Sequence, residues 1–443
     1  MSSSHRPAPG GRDLSRRELL ALAASAFVPL QDLDKPDVTL RIGEMTLELA
    51  PKRTVRTLAY NGQVPGPLIR ARRGRPFAVD VVNASKDTDI VHWHGLHIGP
   101  DVDGAYEEGT PGVAPGTRRR YTFAPDPAGT RWYHSHNPAN RDLTRSTYTG
   151  QFGMFIVDGD DPGAYDREIA LLLHEWEPRF GSNGDVEYRA FSINGKMLGG
   201  GEPIRVRESE RVLFRIVNAS ATLNHRLALP GHTFRVIALD GNAVPTPASV
   251  PILDLAPGER IDATVDMSRP GVWILGGLKS DERSRGLGIA VEYAGRGGAP
   301  QWIQPAPFVW DSLTFGRHDA ASEPDGRLTL AFAAVGDGHH WAINGKTHPH
   351  LDPIVVRSAK RYRWTLDNQS ADPHPIHIHR HLFEIVRFDG RPTSGLRKDV
   401  VVVPAWRQVD VDVLDTRPGL SLVHCHQQFH MDMGFMTMMR CEA

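Results

Sequence analysis

Apolar and polar residues alternate with a period of two along most of the chain. Tyr362, Trp364 and Leu366 interleave with Arg361, Arg363 and Thr365, and Val409, Val411 and Val413 interleave with Gln408, Asp410 and Asp412. Successive side chains of an extended strand point to opposite faces, so such runs predict strands with one buried and one wet face. Amphipathic helical patterns are scarce, and Pro-Gly, Asn-Gly and Asp-Gly pairs punctuate the runs as turns. The pattern predicts an all-β chain of many short strands.

The strands recur in three sets. An Asn-Gly turn stands at Asn61-Gly62-Gln63, Asn194-Gly195-Lys196 and Asn344-Gly345-Lys346. After each comes a strand ending in Asn-x-Ser, at Asn83-Ala84-Ser85, Asn218-Ala219-Ser220 and Asn368-Gln369-Ser370. A Pro-rich turn follows, at Pro115-Gly116, Pro257-Gly258 and Pro404-Ala405, and then a glycine opening an apolar strand, at Gly129, Gly271 and Gly419. Landmarks repeating in one order predict three related β-sandwich domains, over residues 38–160, 161–300 and 301–443, with a linker at Gly295 to Pro307 before the third. The length of 443 residues agrees, at about 150 residues per domain.

Aligning the repeats sorts the histidines. Nine residues past the Asn-x-Ser asparagine, the first domain has His92-Trp93-His94 and the third His377-Ile378-His379, where the second has Leu227-Ala228-Leu229. Five residues past the late glycine stand His134-Ser135-His136 and His424-Cys425-His426, against Gly276-Gly277-Leu278 in the second domain. Residues i and i+2 of a strand share a face, so each His-x-His aims two imidazoles at one space. The four pairs, split between two domains, predict a multinuclear metal site between the first domain and the third, with the middle domain a spacer without ligands. Imidazoles alone suit copper, zinc, iron or nickel. Cys425 selects among them: it faces away from His424 and His426, toward His374 and His430, and one thiolate with two imidazoles is the blue-copper set.

Composition narrows the rest. Lys plus Arg is 51 against 52 Asp plus Glu, and no polybasic or polyacidic block occurs, which argues against nucleic-acid and membrane-surface partners. Two cysteines, Cys425 and Cys441, rule out a disulfide scaffold and a four-cysteine metal site. With Cys425 committed to metal, Cys441 lacks a partner and no disulfide is expected. The other eleven of the 21 histidines read as surface or hydrogen-bonded core residues. Residues 1–37 read as a leader, because Ser15-Arg16-Arg17-Glu18-Leu19-Leu20 is a twin-arginine motif before an apolar run too short to span a bilayer, with Ala24-Ser25-Ala26 as a cleavage site. Such a leader implies the twin-arginine export machinery as a partner, no stable membrane insertion, and a periplasmic or secreted product.

These motifs resemble those of the three-domain multicopper oxidases, the family of laccases, cuprous oxidases and bilirubin oxidases. The likeness runs from about residue 38 to 443 through His92-Trp93-His94-Gly95, Tyr133-His134-Ser135-His136, His374-Pro375-Ile376-His377-Ile378-His379, and His424-Cys425-His426 with His430. It implies cupredoxin-like Greek-key sandwiches and copper, four ions in all. His374, Cys425 and His430 would hold a type 1 ion that takes electrons from a reductant. His92 and His377 would hold the type 2 ion, and His94, His134, His136, His379, His424 and His426 the type 3 pair, where dioxygen is reduced to water.

Two departures from the family pattern stand out. Phe435, with no donor atom, occupies the axial position ten residues after the cysteine, as in laccases with a non-coordinating axial residue, which implies a three-coordinate site of raised potential. Met431 follows His430 where several bacterial members carry an acid, and the adjacent Asp432 would point to the other face of an extended segment. Asp103, in Val102-Asp103-Gly104, matches a family acid near the trinuclear site, although Asp-Gly is also an ordinary turn. Methionines 431, 433, 436, 438 and 439 read as core filler rather than a Cu(I) port, and no Met-rich insertion interrupts the third domain. The expected reaction is laccase-type oxidation of phenolic or aromatic compounds, with Cu(I), Fe(II) or Mn(II) oxidation as the alternative. A non-catalytic cell-division scaffold or a copper nitrite reductase would not need the whole histidine set.

Overall fold

The computed structural model describes residues 35–443 except Pro162, Asp337, Asp415 and Thr416. The leader motif and its cleavage site lie outside the described residues.

Among the described residues strands dominate, and the three α-helical pieces, Pro100–Asp103, Ser280–Ser284 and Gln428–Asp432, are single turns. Six large sheets form three face-to-face pairs, each drawn from one third of the chain. The first pair has four strands per sheet, and the second and third pairs have six and five. Each pair is a cupredoxin-type sandwich. In all three, a strand from the start of the repeat runs parallel to the one ending in Asn-x-Ser, as Val38–Ala50 does with Phe77–Asn83, Arg167–Trp176 with Arg211–Asn218, and Gly326–Val335 with Tyr362–Asn368. The asparagines close the repeat: Asn83, Asn218 and Asn368 each donate Nδ2 to carbonyls of the facing turn and accept the backbone amide two residues on.

The opening strand shows how alternation is reused across domains. Leu40 and Ile42 face the core of the first sandwich with Trp93 and Tyr121. Leu47 and Leu49, on the opposite parity, pack with Leu172, Trp176 and Val217 of the second. A third core runs without a break from the second sandwich into the third, through Phe315, Trp364 and Cys425. Buried charge also crosses the seam, since Arg215 meets Asp262 at 2.7 Å and Thr130 Oγ1 at 2.8 Å. Removing one member of a buried pair of this kind costs about 3–5 kcal/mol.

Candidate metal centre

Two pairs of antiparallel strands carry the His-x-His motifs. In the first sandwich Val91–His94 lies beside Gly129–Ser135, with His92 opposite His134. In the third, His374–Ile378 lies beside Gly419–Cys425, with His377 opposite His424 and Ile376 opposite Cys425. The equivalent strand of the second sandwich, His225–Ala228, sets Leu227 opposite Gly277 and Ala228 opposite Gly276.

The two strand pairs face each other across the junction of the first and third sandwiches. His92 stacks on His379 and His94 on His377, each with ring centroids 3.9 Å apart. His134, His136, His424 and His426 complete the cluster, with His136 to His424 at 5.2 Å and His134 to His426 at 5.4 Å. All eight are buried.

Hydrogen bonds fix which ring nitrogens are free. A carbonyl only accepts, so the Nδ1 that faces one carries the proton and leaves Nε2 with its lone pair. His92 donates Nδ1 to the Asp103 carbonyl at 3.0 Å, His134 to Ser135 at 2.9 Å, His377 to Asp399 at 2.7 Å and His424 to Cys425 at 2.9 Å. His379 donates Nδ1 to Asp103 Oδ2 at 2.9 Å, and His94 donates Nε2 to Asp399 Oδ1 at 3.0 Å, leaving its Nδ1 free. The freed nitrogens converge. His379 Nε2 and His424 Nε2 are 3.0 Å apart, and His94 Nδ1 is 3.3 Å from His426 Nε2. Nε2 of His92, His134 and His377 has no hydrogen-bond partner. Two lone pairs at 3.0 Å repel unless a cation lies among them. Burial, and then the neighbouring imidazoles, hold His94, His134, His136, His377, His379 and His426 far below the usual imidazole range, and burial holds His424 at about 3. Neutral, convergent and otherwise unpaired imidazoles fit a late first-row metal.

A second group lies on the other face of the same strand. Cys425 Sγ is 3.8 Å from His374 Nδ1 and 3.7 Å from His430 Nδ1. Ser370, the serine of the third Asn-x-Ser motif, sits 2.8 Å from His374 Nε2 and fixes that ring. Cys425 and His374 are buried and His430 is partly exposed. Burial pushes the Cys425 thiol up, so a thiolate there needs a cation at Sγ. Phe435 lies edge-on to His374 at 4.8 Å, stacks on Trp341 at 5.4 Å and accepts the Cys425 amide on its carbonyl at 3.1 Å. Met436 packs elsewhere, with Ala105, Leu422 and Met431. One thiol and two imidazoles suit copper, and the residues present fit it at both groups.

Asp103 closes a helical turn against the cluster. Its Oδ2 is also 3.1 Å from His92 Nδ1, and its buried Oδ1 has no partner. Gly104 makes this approach feasible: at φ +103° its backbone is left-handed, and a Cβ would lie 2.0 Å from the Val91 carbonyl. Asp432 differs from expectation. Its segment is a helical turn rather than an extended run, because the chain reverses between Cys425 and the last strand. Asp432 therefore turns toward the first sandwich, accepting from Gln428 Nε2 at 3.1 Å and from the Ala139 amide at 3.2 Å, and burial raises its carboxyl to about 7.

Sequence reasoning missed three residues here. Glu108 accepts the Leu422 amide at 2.6 Å and lies 3.5 Å from His379 Nδ1; burial and Asp103 push its carboxyl well up. Trp341 walls the Cys425 group, 4.4 Å from His374 and 4.5 Å from His430. Asp399 holds both His94 and His377. The signal for Asp399 was a charged pair, Lys398-Asp399, opening the apolar run Val400–Val403.

Cys425 and Cys441 are both free and buried. Among the lone histidines, His174, His232 and His381 are buried and hydrogen-bonded to backbone carbonyls.

Known proteins resemble this chain over most of its length. Three multicopper oxidase family models match residues 41–162, 173–286 and 323–442. The multicopper oxidase MmcO of Mycobacterium tuberculosis is 30% identical over 429 residues, covering 86% of this chain and 82% of that protein. A laccase of Pycnoporus cinnabarinus is 26% identical over 491 residues, covering 94% and 90%. Among solved structures, the Botrytis aclada laccase has a TM-score of 0.77 at 20% identity, covering 92% of this chain and 88% of that one. The multi-copper oxidase of Pseudomonas thermotolerans has a TM-score of 0.75 at 22% identity, covering 92% and 100%. A thiol flanked in one strand by imidazoles of a buried eight-histidine cluster, in a chain matched by these models over all three sandwiches, makes this protein a member of the multicopper oxidases, oxygen-using oxidoreductases that work through copper.

Proposed function

We propose that this oxidase takes electrons one at a time from phenolic or aromatic compounds at a type 1 copper held by His374, Cys425 and His430. Three further coppers, held by the eight clustered imidazoles, would supply the reduction of dioxygen to water. His92 and His377 serve the type 2 ion. His94, His134, His136, His379, His424 and His426 serve the type 3 pair. Four ions per chain follow from that ligand count. Bound copper would supply the one-electron steps that organic side chains cannot.

The observation that carries the substrate class is the surrounding of His430, the one partly exposed member of its group. Trp341 lies against its ring, and the neighbouring Phe429 is covered by Phe180 at 5.6 Å and His339 at 6.3 Å. Trp341 and Phe429 are buried, and Phe180, partly exposed in front of Phe429, is the ring that offers stacking to a flat, oxidisable compound. Of the five methionines that would present Cu(I), Met431, Met436 and Met439 are buried, and Met433 and Met438 are partly exposed.

The chain's own residues order the chemistry. Cys425 binds on one face while His424 and His426, one peptide bond away on either side, face the other, so an electron passes through covalent bonds. Ser370, the Asp103 carbonyl and Asp399 lock ring tautomers. Asp103 Oδ2 accepts the His379 Nδ1 proton and so fixes that ring, and its second oxygen, buried at the cluster without a partner, is placed to relay protons as dioxygen takes up four. Phe435, packed against His374 and Trp341, has no donor atom, so a copper held there would gain no fourth ligand from it. The twin-arginine leader supports export of the folded protein to the periplasm or beyond. No helix among the described residues is long and apolar enough to cross a membrane.

The test uses copper-loaded protein. Four coppers per chain, a blue thiolate-to-copper band and oxygen uptake driven by phenols are expected. Phenols that fail while Cu(I), Fe(II) or Mn(II) drive uptake would overturn the substrate class in favour of a metal-ion oxidase.

A further inference from the structure

The second sandwich contributes no imidazole to the cluster, yet it reaches it. Arg260, from the strand Arg260–Asp266, grips both carboxylate oxygens of Asp399, Nη2 to Oδ2 at 2.6 Å and Nη1 to Oδ1. Neither residue is exposed to solvent. Asp399 in turn holds one imidazole from each side of the cluster: its carboxylate accepts His94 Nε2 from the first sandwich, and its carbonyl accepts His377 Nδ1 from the third. These are the two rings that stack at 3.9 Å and 9°. One carboxylate thus decides that His94 turns Nδ1, and not Nε2, inward.

The surroundings leave the guanidinium little freedom. Arg260 also donates Nε to the Thr130 carbonyl at 3.3 Å and Nη2 to the Asp240 carbonyl at 3.0 Å, so it touches the first and second sandwiches while paired with the third. Asp240 Oδ2 accepts the Val400 amide at 3.0 Å, which fixes the backbone beside Asp399. Gly95, next to His94, completes the fit. At φ +83°, a Cβ there would lie 2.6 Å from Arg260 Nη2 and 2.8 Å from Asp399 Oδ2.

We infer that Arg260 of the ligand-free middle domain is a positioning residue for the trinuclear copper site, acting through Asp399 on His94 and His377. The planar fork matters because it fixes the carboxylate in two places at once, which a lysine ammonium cannot. The middle domain is thus a structural arm of the cluster rather than a spacer. The inference rests on the assignment of the eight imidazoles to that site.

The test compares Arg260→Lys, Asp399→Asn and Arg215→Lys with the unaltered protein, each as the full chain loaded with copper. Arg215 is a partly buried arginine of the same seam, paired with Asp262 and Glu168 rather than Asp399, so its variant reports on domain packing alone. Arg260→Lys and Asp399→Asn are expected to bind trinuclear copper about 10–100-fold more weakly in chelator competition, the usual effect of removing a group that orients a ligand. They should also change the type 2 electron paramagnetic resonance signal while keeping the blue band of the Cys425 site, which shows that the third sandwich is folded. Arg215→Lys should lower Tm and leave copper content and both spectra unchanged. Arg260→Lys and Asp399→Asn with unaltered affinity and type 2 signal would overturn the role, as would an equal loss in Arg215→Lys. An unaltered protein that binds only the blue copper would instead overturn the ligand assignment.

Discussion

Phe435 packs 4.8 Å from His374 and occupies the sequence position where a thioether would give a copper held by Cys425 a weak fourth donor. Without that bond the cupric state loses a donor and reduction becomes easier. Phe435→Met should therefore lower the type 1 potential, measured by redox titration of the blue band, with oxygen uptake slowed most for reductants of high potential. Asp103 poses a question of protons rather than electrons. Asp103→Asn should slow reoxidation by dioxygen by about 10²-fold or more while anaerobic reduction of the blue copper by substrate stays as fast as before, since only the former step consumes protons. Equal rates of reoxidation in stopped-flow mixing would remove Asp103 from that role. The residues visible in sequence were those whose chemistry is written in spacing, the His-x-His pairs and Cys425. Asp399, Glu108 and Arg260 were not, because each acts across a domain seam and no local period marks a charge that is buried by a neighbour distant in the chain.

At the scale of elements, alternation within one strand sets the Cys425 thiol and the flanking imidazoles on opposite faces, and strand pairing brings the motifs into register, His92 across from His134 and His377 across from His424. This much follows from period-two patterning and repeat alignment. The segment after Cys425 did not: five residues are too few for a helical period to appear, so Gln428–Asp432 was indistinguishable from a strand end. The small hairpin Arg179–Phe180 with Val186–Glu187 was equally silent in sequence, yet it lays Phe180 beside Phe429, under the Arg141 guanidinium at 4.8 Å. Phe180→Ala should raise KM for phenols several-fold, in line with the roughly 0.5–1.5 kcal/mol of an aromatic pair, and leave kcat and the blue spectrum unchanged. An unchanged KM would take the hairpin out of substrate binding.

For the whole molecule, the buried imidazoles tie stability to pH and to copper. His424 is held near 3 when folded, against about 6.5 in an unfolded chain. Between those values the unfolded state takes up a proton that the folded state refuses, so stability falls as pH drops through that window, by up to about 1.4 kcal/mol per pH unit for each such group. The metal-free protein should therefore unfold on mild acidification, and copper loading should both raise Tm and move the acid midpoint down, as followed by circular dichroism. Copper that left the acid midpoint unmoved would mean that these rings are not its ligands. The separation of His94 from His426 by 332 residues has a further consequence, in time rather than in space. Cys425 and His374 are only 51 residues apart and belong to one sandwich, so their site exists as soon as that sandwich folds. The larger cluster exists only after the longest loop in the chain has closed, the slow kind of contact in folding. Before that moment the chain offers isolated imidazole pairs, any of which would hold a metal loosely and in the wrong company. Copper delivered too early can colour the protein without completing it, so loading has to wait for docking.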